Sequence, residues 1–178
     1  MLRLFFALQP TPDQNDALVE HVAPLIAQLQ AQPVPAQNLH ATLCFIGAVE
    51  PARLDDVRAA AASLRGRPAT LRFDALEYWE TPKILCATAS RDLSAASELA
   101  IALGEAAVAA GFAPDIKPFR AHLTLARKIA PTQAATVPLP LPLVPPTTLR
   151  AEKFVLMSSR REGTVSIYSA VDSWELYE

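Results

Sequence analysis

The feature that most limits the fold is a strand–helix–strand pattern that occurs twice in the chain. The first copy runs from "RLFFALQ" through a helix to "LHATLCF", and the second runs from "KILCATA" through a helix to "AHLTLAR". Both copies end in a strand that contains His-x-Thr-Leu, with the histidines at His40 and His122. A unit used twice predicts an α+β fold of two similar lobes related by a pseudo-two-fold axis, with the two His-x-Thr strands facing each other.

The composition indicates a globular protein and argues against several classes of function. Hydrophobic residues make up 51% of the 178 residues and charged residues 19%, enough for a substantial core. Two cysteines and five widely spaced glycines disfavour a disulfide framework, a cysteine zinc site, a dinucleotide-binding loop and a P-loop. The net charge of -2 provides no general attraction to duplex nucleic acid. No apolar run is long enough to span a bilayer, so we expect a cytoplasmic protein without membrane contact.

Periodicity and helix-capping residues divide the first two thirds of the chain into strands and helices. Thr11, Pro12 and Gln14 form an N-cap, a first-turn proline and a capping box ahead of a helix to about Gln30. Further helices are predicted from Pro51 to just before Gly66 and over Asp92–Ala110. Strands are predicted at Leu2–Gln9, Asn38–Ile46, Ala69–Trp79, Lys83–Ala89 and Phe119–Arg127.

The last third begins with a proline-rich segment. Pro131–Pro146 contains six prolines, which predicts an extended connection over the surface rather than a helix or an interior strand. The chain then ends in a predicted hairpin of "TLRAEKFVLMSS" and "TVSIYSAVDSWEL", which turns near Glu162 and Gly163.

Each His-x-Thr strand carries two polar groups on one face. Because side chains alternate along a strand, His40 and Thr42 share a face, and so do His122 and Thr124. Burying four such groups without partners would cost several kcal/mol. A cleft lined by all four is therefore the expected arrangement.

Strict alternation also assigns the remaining side chains of the first motif. Phe45 shares the helix-covered face with Leu39, Ala41 and Leu43, whereas Cys44 shares the face of His40 and Thr42 as a small buried filler.

Two imidazoles and two hydroxyls suit proton transfer around a phosphate group. An imidazole titrates near pH ~6.5, so one ring can act as a base and the other as an acid. Threonine hydroxyls can donate hydrogen bonds to phosphate oxygens. Two histidines without matching Asp, Glu or Cys residues are an incomplete set of metal ligands, so no metal is expected.

With "RLFFAL", "NLHATLCFIG" and "PFRAHLTLAR", the chain resembles the 2H phosphoesterase superfamily and, within it, the bacterial RNA 2',3'-cyclic phosphodiesterases, also called 2'-5' RNA ligases. The resemblance covers most of the chain; Ala41 stands where the family commonly has a larger apolar residue. It implies a single domain over residues 1–178 whose two lobes can exchange strands, with motif one around 38–46 and motif two around 119–127. Each lobe would be a mainly antiparallel sheet with helices on its outer face, and a central cleft would separate the sheets.

The resemblance also implies an activity. His40 and His122 would be catalytic, and Thr42, Thr124 and Arg127 would bind the phosphate, in hydrolysis of a 2',3'-cyclic phosphate to a 2'-phosphate. The partners would be RNA 3' ends or nucleotides with a 2',3'-cyclic phosphate, and neither a metal nor a cofactor would be needed. We prefer His40 as the acid and His122 as the base, expect a monomer, and regard reverse ligation to a 2'-5' linkage as chemically allowed.

Two features of the site stay open at the level of sequence. Strict alternation places Arg120 on the cleft face, whereas the family pattern H-x-T-x-x-R favours Arg127, which requires the strand to end or bulge near Ala126. A base could stack on any one of three phenylalanines, namely Phe5, Phe6 and Phe45.

Arg160 and Arg161 are expected to solvate a turn rather than contact RNA. An alternative function is a 2H phosphodiesterase that acts on another cyclic phosphate or on a 2'-5' linked nucleotide. A second alternative is a non-catalytic module that binds RNA ends.

Overall fold

The structure is a computed structural model that describes residues 1–163 and 165–177, with only the backbone of Val165. Within these residues the chain forms nine strands, four α-helices and short 3-10 turns at Ala36–Asn38 and Pro51–Arg53. The helices are α1 (Pro12–Gln28), α2 (Leu54–Ala62), α3 (Ser94–Ala109) and α4 (Pro131–Ala134). The strands are β1 (Leu2–Leu8), β2 (Gln32–Pro33), β3 (Ala41–Val49), β4 (Ala69–Trp79), β5 (Ile84–Thr88), β6 (His122–Arg127), β7 (Leu141–Ala151), β8 (Lys153–Glu162) and β9 (Val165–Glu175).

The strands form two antiparallel sheets, which confirms the predicted α+β fold of two lobes. The first sheet has the order β3-β1-β8-β9, and the second has the order β2-β6-β5-β4-β7. The first repeat supplies the antiparallel pair β1 and β3, and the second repeat supplies β5 and β6. Each His-x-Thr motif therefore lies at or in a strand next to the first strand of its own repeat.

The two lobes are linked by elements that cross between them. Strand β2, from the first repeat, pairs with β6 at the edge of the second sheet. Helix α1, from the first repeat, contacts β6 and β7 of the second sheet, whereas α3, from the second repeat, contacts β3 of the first. One hydrophobic core cluster includes buried side chains from both sheets, such as Leu4, Phe73 and Leu123. None of the helices in the described residues is long and apolar enough to cross a membrane.

Most predicted elements agree with the structure, with shifted ends. The capping box of Thr11 and Gln14 opens α1, and β4 has the predicted bounds Ala69–Trp79. Strand β3 starts at Ala41 because the chain first makes a 3-10 turn at Ala36–Asn38. His40 thus lies immediately before the strand.

The prediction for the proline-rich segment was wrong. The segment contains the short helix α4 and the first half of β7 rather than an extended connection alone. Pro131 occupies the first turn of α4, where the missing N–H is not needed. Strand β7 lies at the edge of its sheet, which is where prolines are tolerated, and only Pro142 of its three prolines has a paired partner on β4.

The terminal hairpin is present, but its predicted first strand is divided. The chain passes from β7 of the second sheet to β8 of the first at Glu152, so "TLRAEKFVLMSS" contributes to both sheets. Strand β8 then pairs with β9 after a turn at Gly163, whose φ is +59°. Thr164, the first residue of the predicted second strand, lies outside the described residues.

Each His-x-Thr strand contains a β-bulge at the leucine directly after its threonine, Leu43 in the first strand and Leu125 in the second. On β3, Thr42 pairs with Ala7 and Cys44 with Phe6, which leaves Leu43 without a partner. On β6, Thr124 pairs with Cys86 and Ala126 with Leu85, which leaves Leu125 without a partner. A bulge inserts one residue and changes which face the following side chains occupy. The two motifs share this break at the same position.

We expect Leu125→Ala to destabilise the protein by about 2–5 kcal/mol, because the Leu125 side chain is only 2% exposed and its removal leaves a cavity. Urea denaturation followed by circular dichroism measures this change. The control Ile101→Ala truncates a side chain that is 61% exposed and should change stability by less than about 0.5 kcal/mol. Equal effects of the two substitutions would contradict the packing role of Leu125.

Candidate active site

The two His-x-Thr motifs meet in a cleft of about 650 Å³ between the sheets. His40 and Thr42 line it from the first lobe, and His122 and Thr124 line it from the second. Arg127 lines the same cleft. The structure therefore brings together all five residues that the sequence singled out.

The bulges explain how Arg127 reaches the cleft. Strict alternation from His122 and Thr124 would direct Arg127 to the opposite face, but the extra residue at Leu125 reverses the later positions. The family pattern H-x-T-x-x-R requires the strand to end or bulge near Ala126, and the bulge at Leu125 lies one residue before it.

The bulge at Leu43 has the same effect in the first motif, and it overturns the alternation prediction there. Phe45 was predicted on the helix-covered face but lines the cleft. Cys44 was predicted on the cleft face but packs in the hydrophobic core. Burial raises the pKa of the Cys44 thiol to about 11, which keeps it protonated and unreactive. Phe45 and Arg127 consequently occupy the equivalent position of the two repeats.

Both imidazole rings are oriented by the same local hydrogen bond. The Nδ1 atom of His40 lies 2.7 Å from the carbonyl oxygen of Asn38, and that of His122 lies 2.7 Å from the carbonyl oxygen of Arg120. A carbonyl oxygen can only accept, so each Nδ1 carries the hydrogen and donates it. Each neutral ring therefore keeps Nε2 as its free proton acceptor.

Aromatic rings support both imidazoles. The Phe5 ring lies 4.8 Å from the His40 ring, and Tyr168 meets the same ring edge-on at 5.0 Å. The Trp79 ring lies 4.6 Å from the His122 ring. Each imidazole is therefore contacted by at least one aromatic ring in addition to its Nδ1 hydrogen bond.

Burial lowers the pKa of both histidines. The pKa of His40 falls to about 4, chiefly through burial, and the positive charge of Arg127 contributes in the same direction. The pKa of His122 is also lowered, by burial first and then by the charges of Arg120 and Arg127. Without a bound anion both rings are neutral near pH 7. A bound phosphate would place a negative charge beside them and favour protonation.

Arg120, the alternative phosphate contact, is held outside the set of cleft-lining residues. Its guanidinium group donates to Glu77 at 2.9 Å and lies 4.1 Å from the centre of the Trp79 ring. Glu77 also accepts hydrogen bonds from the Trp79 indole and the Thr88 hydroxyl, each at 2.9 Å. Arg120 precedes β6, which begins at His122, and its guanidinium group is engaged by Glu77 beside the Trp79 ring that contacts His122.

The three candidate phenylalanines differ in their surroundings. Phe6 is 1% exposed and packs in the core against Phe154 and Trp174. Phe5 also lines the cleft, but it is only 3% exposed and packs against the His40 ring. Phe45 is half-buried and lines the cleft, with the Arg3 guanidinium 5.1 Å from its ring centre. Phe45 is thus the phenylalanine whose surroundings leave it accessible to a ligand.

Several cleft residues were missed or misjudged from the sequence. Arg3, Trp79 and Tyr168 line the cleft, and so do Arg160 and Arg161, which had been expected only to solvate a turn. The position of Arg3 could have been predicted, because alternation along β1 places it on the same face as Phe5, a candidate stacking residue. The others lie on strands whose position beside the motifs depends on sheet pairing.

No group of three or more His, Cys, Asp or Glu side chains that could hold a metal ion is found in residues 1–163 and 165–177.

The model of the family described as "LigT like Phosphoesterase" matches residues 7–85 and 90–168, and each match contains one His-x-Thr motif. The two matches cover most of the chain. The protein therefore belongs to the LigT-like phosphoesterase family, which confirms the resemblance of its motifs to those of 2H phosphoesterases.

Two known proteins illustrate the relationship. The chain is 28% identical over 138 residues to the RNA 2',3'-cyclic phosphodiesterase of Escherichia coli (strain K12). This alignment covers 78% of this chain and 77% of the relative. The crystal structure of E. coli LigT in its apo form superimposes with a TM-score of 0.85 at 26% identity, covering 99% and 98% of the two chains. E. coli LigT complexed with 3'-AMP gives a TM-score of 0.86 at 25% identity, covering 99% of both chains.

Because the folded state disfavours a protonated His40, acid should destabilise the protein. The unfolded chain takes up this proton near pH ~6.5, whereas the folded protein does so only near pH 4, so the free energy of unfolding falls between these values. We expect His40 to account for about 2–3 kcal/mol of that fall. Urea denaturation from pH 7 to 4.5 should show a weaker pH dependence in His40→Gln than in the wild type. Parallel profiles would contradict the assigned effect of burial.

Proposed function

We propose that the cleft hydrolyses the 2',3'-cyclic phosphate at the 3' end of RNA to a 2'-phosphate. The observation that carries this proposal is the pairing of two imidazole–hydroxyl sets, one from each lobe, with Arg127 in one cleft. Two free Nε2 atoms provide an acceptor and, after protonation, a donor for the two proton transfers of the reaction. Thr42, Thr124 and Arg127 provide donors for the non-bridging phosphate oxygens.

The reaction balances with these groups alone. One neutral imidazole takes a proton from water as the water oxygen bonds to phosphorus. The bond from phosphorus to the 3' oxygen breaks, and the second imidazole, protonated at Nε2, gives its proton to that oxygen. The phosphate remains on the 2' oxygen. Because the empty site holds both rings neutral, the negative charge of the bound substrate favours protonation of the second ring.

Relatives support the nucleotide character of the substrate. The E. coli relative is named an RNA 2',3'-cyclic phosphodiesterase. E. coli LigT has been crystallised with 3'-AMP, a nucleotide whose phosphate is on the 3' oxygen of the ribose. We propose Phe45, with Arg3 against its ring, as the platform for the terminal base, since bases stack on aromatic rings and on guanidinium planes. In 2'-5' ligation the 5' hydroxyl of a second RNA replaces water: one imidazole takes its proton as its oxygen bonds to phosphorus, and the other protonates the leaving 3' oxygen.

Replacement of either catalytic histidine should abolish most activity. We expect His40→Ala and His122→Ala each to lower kcat/KM roughly 10²–10⁴-fold on a dinucleotide with a 2',3'-cyclic phosphate, because each removes one proton-transfer group. The control His21→Ala changes an exposed position of α1 and should retain wild-type activity. Hydrolysis is measured by chromatography of the 2'-phosphate product in buffer with EDTA.

Full activity of either His40→Ala or His122→Ala would contradict the two-histidine mechanism. Loss of wild-type activity in EDTA would contradict metal-independent hydrolysis. A wild-type protein that binds this dinucleotide without turnover would instead indicate a binding module.

A sulfur-bridged substrate separates the roles of the two histidines. If the bridging 3' oxygen is replaced by sulfur, the thiolate leaves without a proton because thiols are far more acidic than alcohols. With His40 as the acid, His40→Ala should lose less than about tenfold in kcat/KM on this substrate, whereas His122→Ala keeps its full loss. Product formation is followed with a thiol reagent. The opposite pattern would make His122 the acid and contradict our preference.

A further inference from the structure

The catalytic cleft continues into a second cavity of about 300 Å³. The two cavities share a common wall, formed by Pro82, Ile84, Arg127, Arg161, Ser166 and Tyr168. The second cavity adds Lys83 and Lys128, which do not line the catalytic cleft. Phe45 and Arg3 line only the catalytic cleft.

The charge of these two cavities differs sharply from that of the whole protein. They are lined by six of the chain's 16 lysines and arginines, and no Asp or Glu of the described residues contributes to either lining. The chain as a whole has a net charge of -2, so positive charge is concentrated at this one continuous surface. Arg160 is partly neutralised by Glu162, 2.8 Å away, but Arg127 and Arg161 have no such ion pair among the residues described.

Lys83 and Lys128 are brought together by the pairing of β5 and β6. Ile84 pairs with Arg127, and the next residue outward on each strand is a lysine. The carbonyl oxygen of Lys83 accepts a hydrogen bond of 3.2 Å from the backbone N–H of Ile129 and so ties the two ends together. Both lysine side chains are exposed, and neither forms an ion pair within residues 1–163 and 165–177.

The backbone at both lysines is left-handed. The φ angle is +65° at Lys83 and +61° at Lys128, a region that favours glycine, asparagine and aspartate. Two lysines in this conformation, side by side at one cavity, are not explained by chain propensity or by contacts with acidic groups. Residues in such sparsely populated conformations cluster at ligand sites, so this adjacent pair marks the cavity as a candidate site for a negatively charged ligand.

The second cavity is also lined by a residue that orients a catalytic group. The Asn38 side chain lines the second cavity and donates a hydrogen bond of 3.1 Å to the carbonyl oxygen of Ser166. The carbonyl oxygen of the same residue orients His40. The second cavity is therefore built directly against the catalytic groups rather than being a separate surface patch.

We infer that the second cavity binds the phosphate on the 5' oxygen of the terminal nucleoside, with Lys83 and Lys128 as its donors. This inference rests on the proposed function, because the terminal cyclic phosphate must lie between the histidines. An RNA chain leaves its terminal nucleoside through this 5' phosphate, so the next negative group of the substrate would meet the next group of cations. The site would make the protein select substrates with a phosphate on the 5' oxygen, as in an RNA chain, over a nucleoside 2',3'-cyclic phosphate without one.

The test compares three substrates with a 2',3'-cyclic phosphate: a nucleoside, the same nucleoside with a 5'-monophosphate, and a dinucleotide that ends in it. We expect the wild type to give a kcat/KM at least about tenfold higher for the two substrates with a 5' phosphate. The substrate with a 5'-monophosphate separates recognition of a phosphate from recognition of a longer chain. If the protein recognised only the chain, kcat/KM for this substrate would equal that for the nucleoside.

The charge is removed without backbone strain by Lys83→Asn and Lys128→Asn, since asparagine tolerates positive φ. The double variant should lose the preference, about tenfold on the dinucleotide, and keep kcat/KM on the nucleoside within about twofold. Its dependence of log(kcat/KM) on log[salt] should weaken by about 1–2. The control pair Arg91→Asn and Lys117→Asn removes the same charge from exposed positions away from both cavities and should behave as the wild type.

Equal kcat/KM on all three substrates, or a preference unchanged in the double variant, would overturn the inference while leaving the proposed hydrolysis intact. Absence of turnover on every substrate would instead remove the proposed function. The subsite is then tested by calorimetric binding of a nucleoside 2'-monophosphate and of its dinucleotide counterpart. A preference for the dinucleotide that depends on Lys83 and Lys128 would support the phosphate site, and equal affinities would overturn it.

Discussion

An extended strand can present to one side only every second residue, and this constraint governs the arrangement of the cleft. Each motif directs three side chains to the cleft: the histidine, the threonine two positions later, and Phe45 or Arg127 three positions after that. The last spacing is odd, so a regular strand cannot meet it. The bulges at Leu43 and Leu125 supply the missing residue in both lobes. Because the inserted leucines are buried, the core that stabilises the fold also holds the bulges in place.

The crossing elements give the cleft its rigidity. Helix α1 packs on the second sheet and α3 on the first, while β2 joins the edge of the sheet that its own repeat does not form. Separation of the lobes would therefore expose the core cluster that they share. Two half-sites on independent lobes would meet only transiently. Here the two histidines, each tied through Nδ1 to its own backbone, are held in one site by the packing of the whole chain.

The electrostatics of the cleft divide the work between neutral and charged groups. Burial keeps both imidazoles neutral in the empty site, so in the proposed reaction one can accept a proton, and a bound anion would favour protonation of the other. The arginines that line the cleft supply positive charge that attracts phosphate. Arg120 is arranged differently, because it pairs with Glu77 and lies over the Trp79 ring that contacts His122. It is not among the residues that line the cleft.

The sequence by itself determined the repeated unit, the two lobes and the convergence of His40, Thr42, His122 and Thr124, because local periodicity and the repeat are written in the order of residues. It also determined the capping box of α1. The tertiary structure decided the orientation of Phe45, Cys44 and Arg127, since a bulge depends on how a strand pairs with its neighbour and not on its own alternation. It likewise decided that Arg3, Trp79 and Tyr168 meet the motifs, because residues far apart in the chain become neighbours only through sheet order. The strand division at Glu152 was hidden for the same reason: a continuous β-forming sequence does not reveal the point at which it passes from one sheet to another.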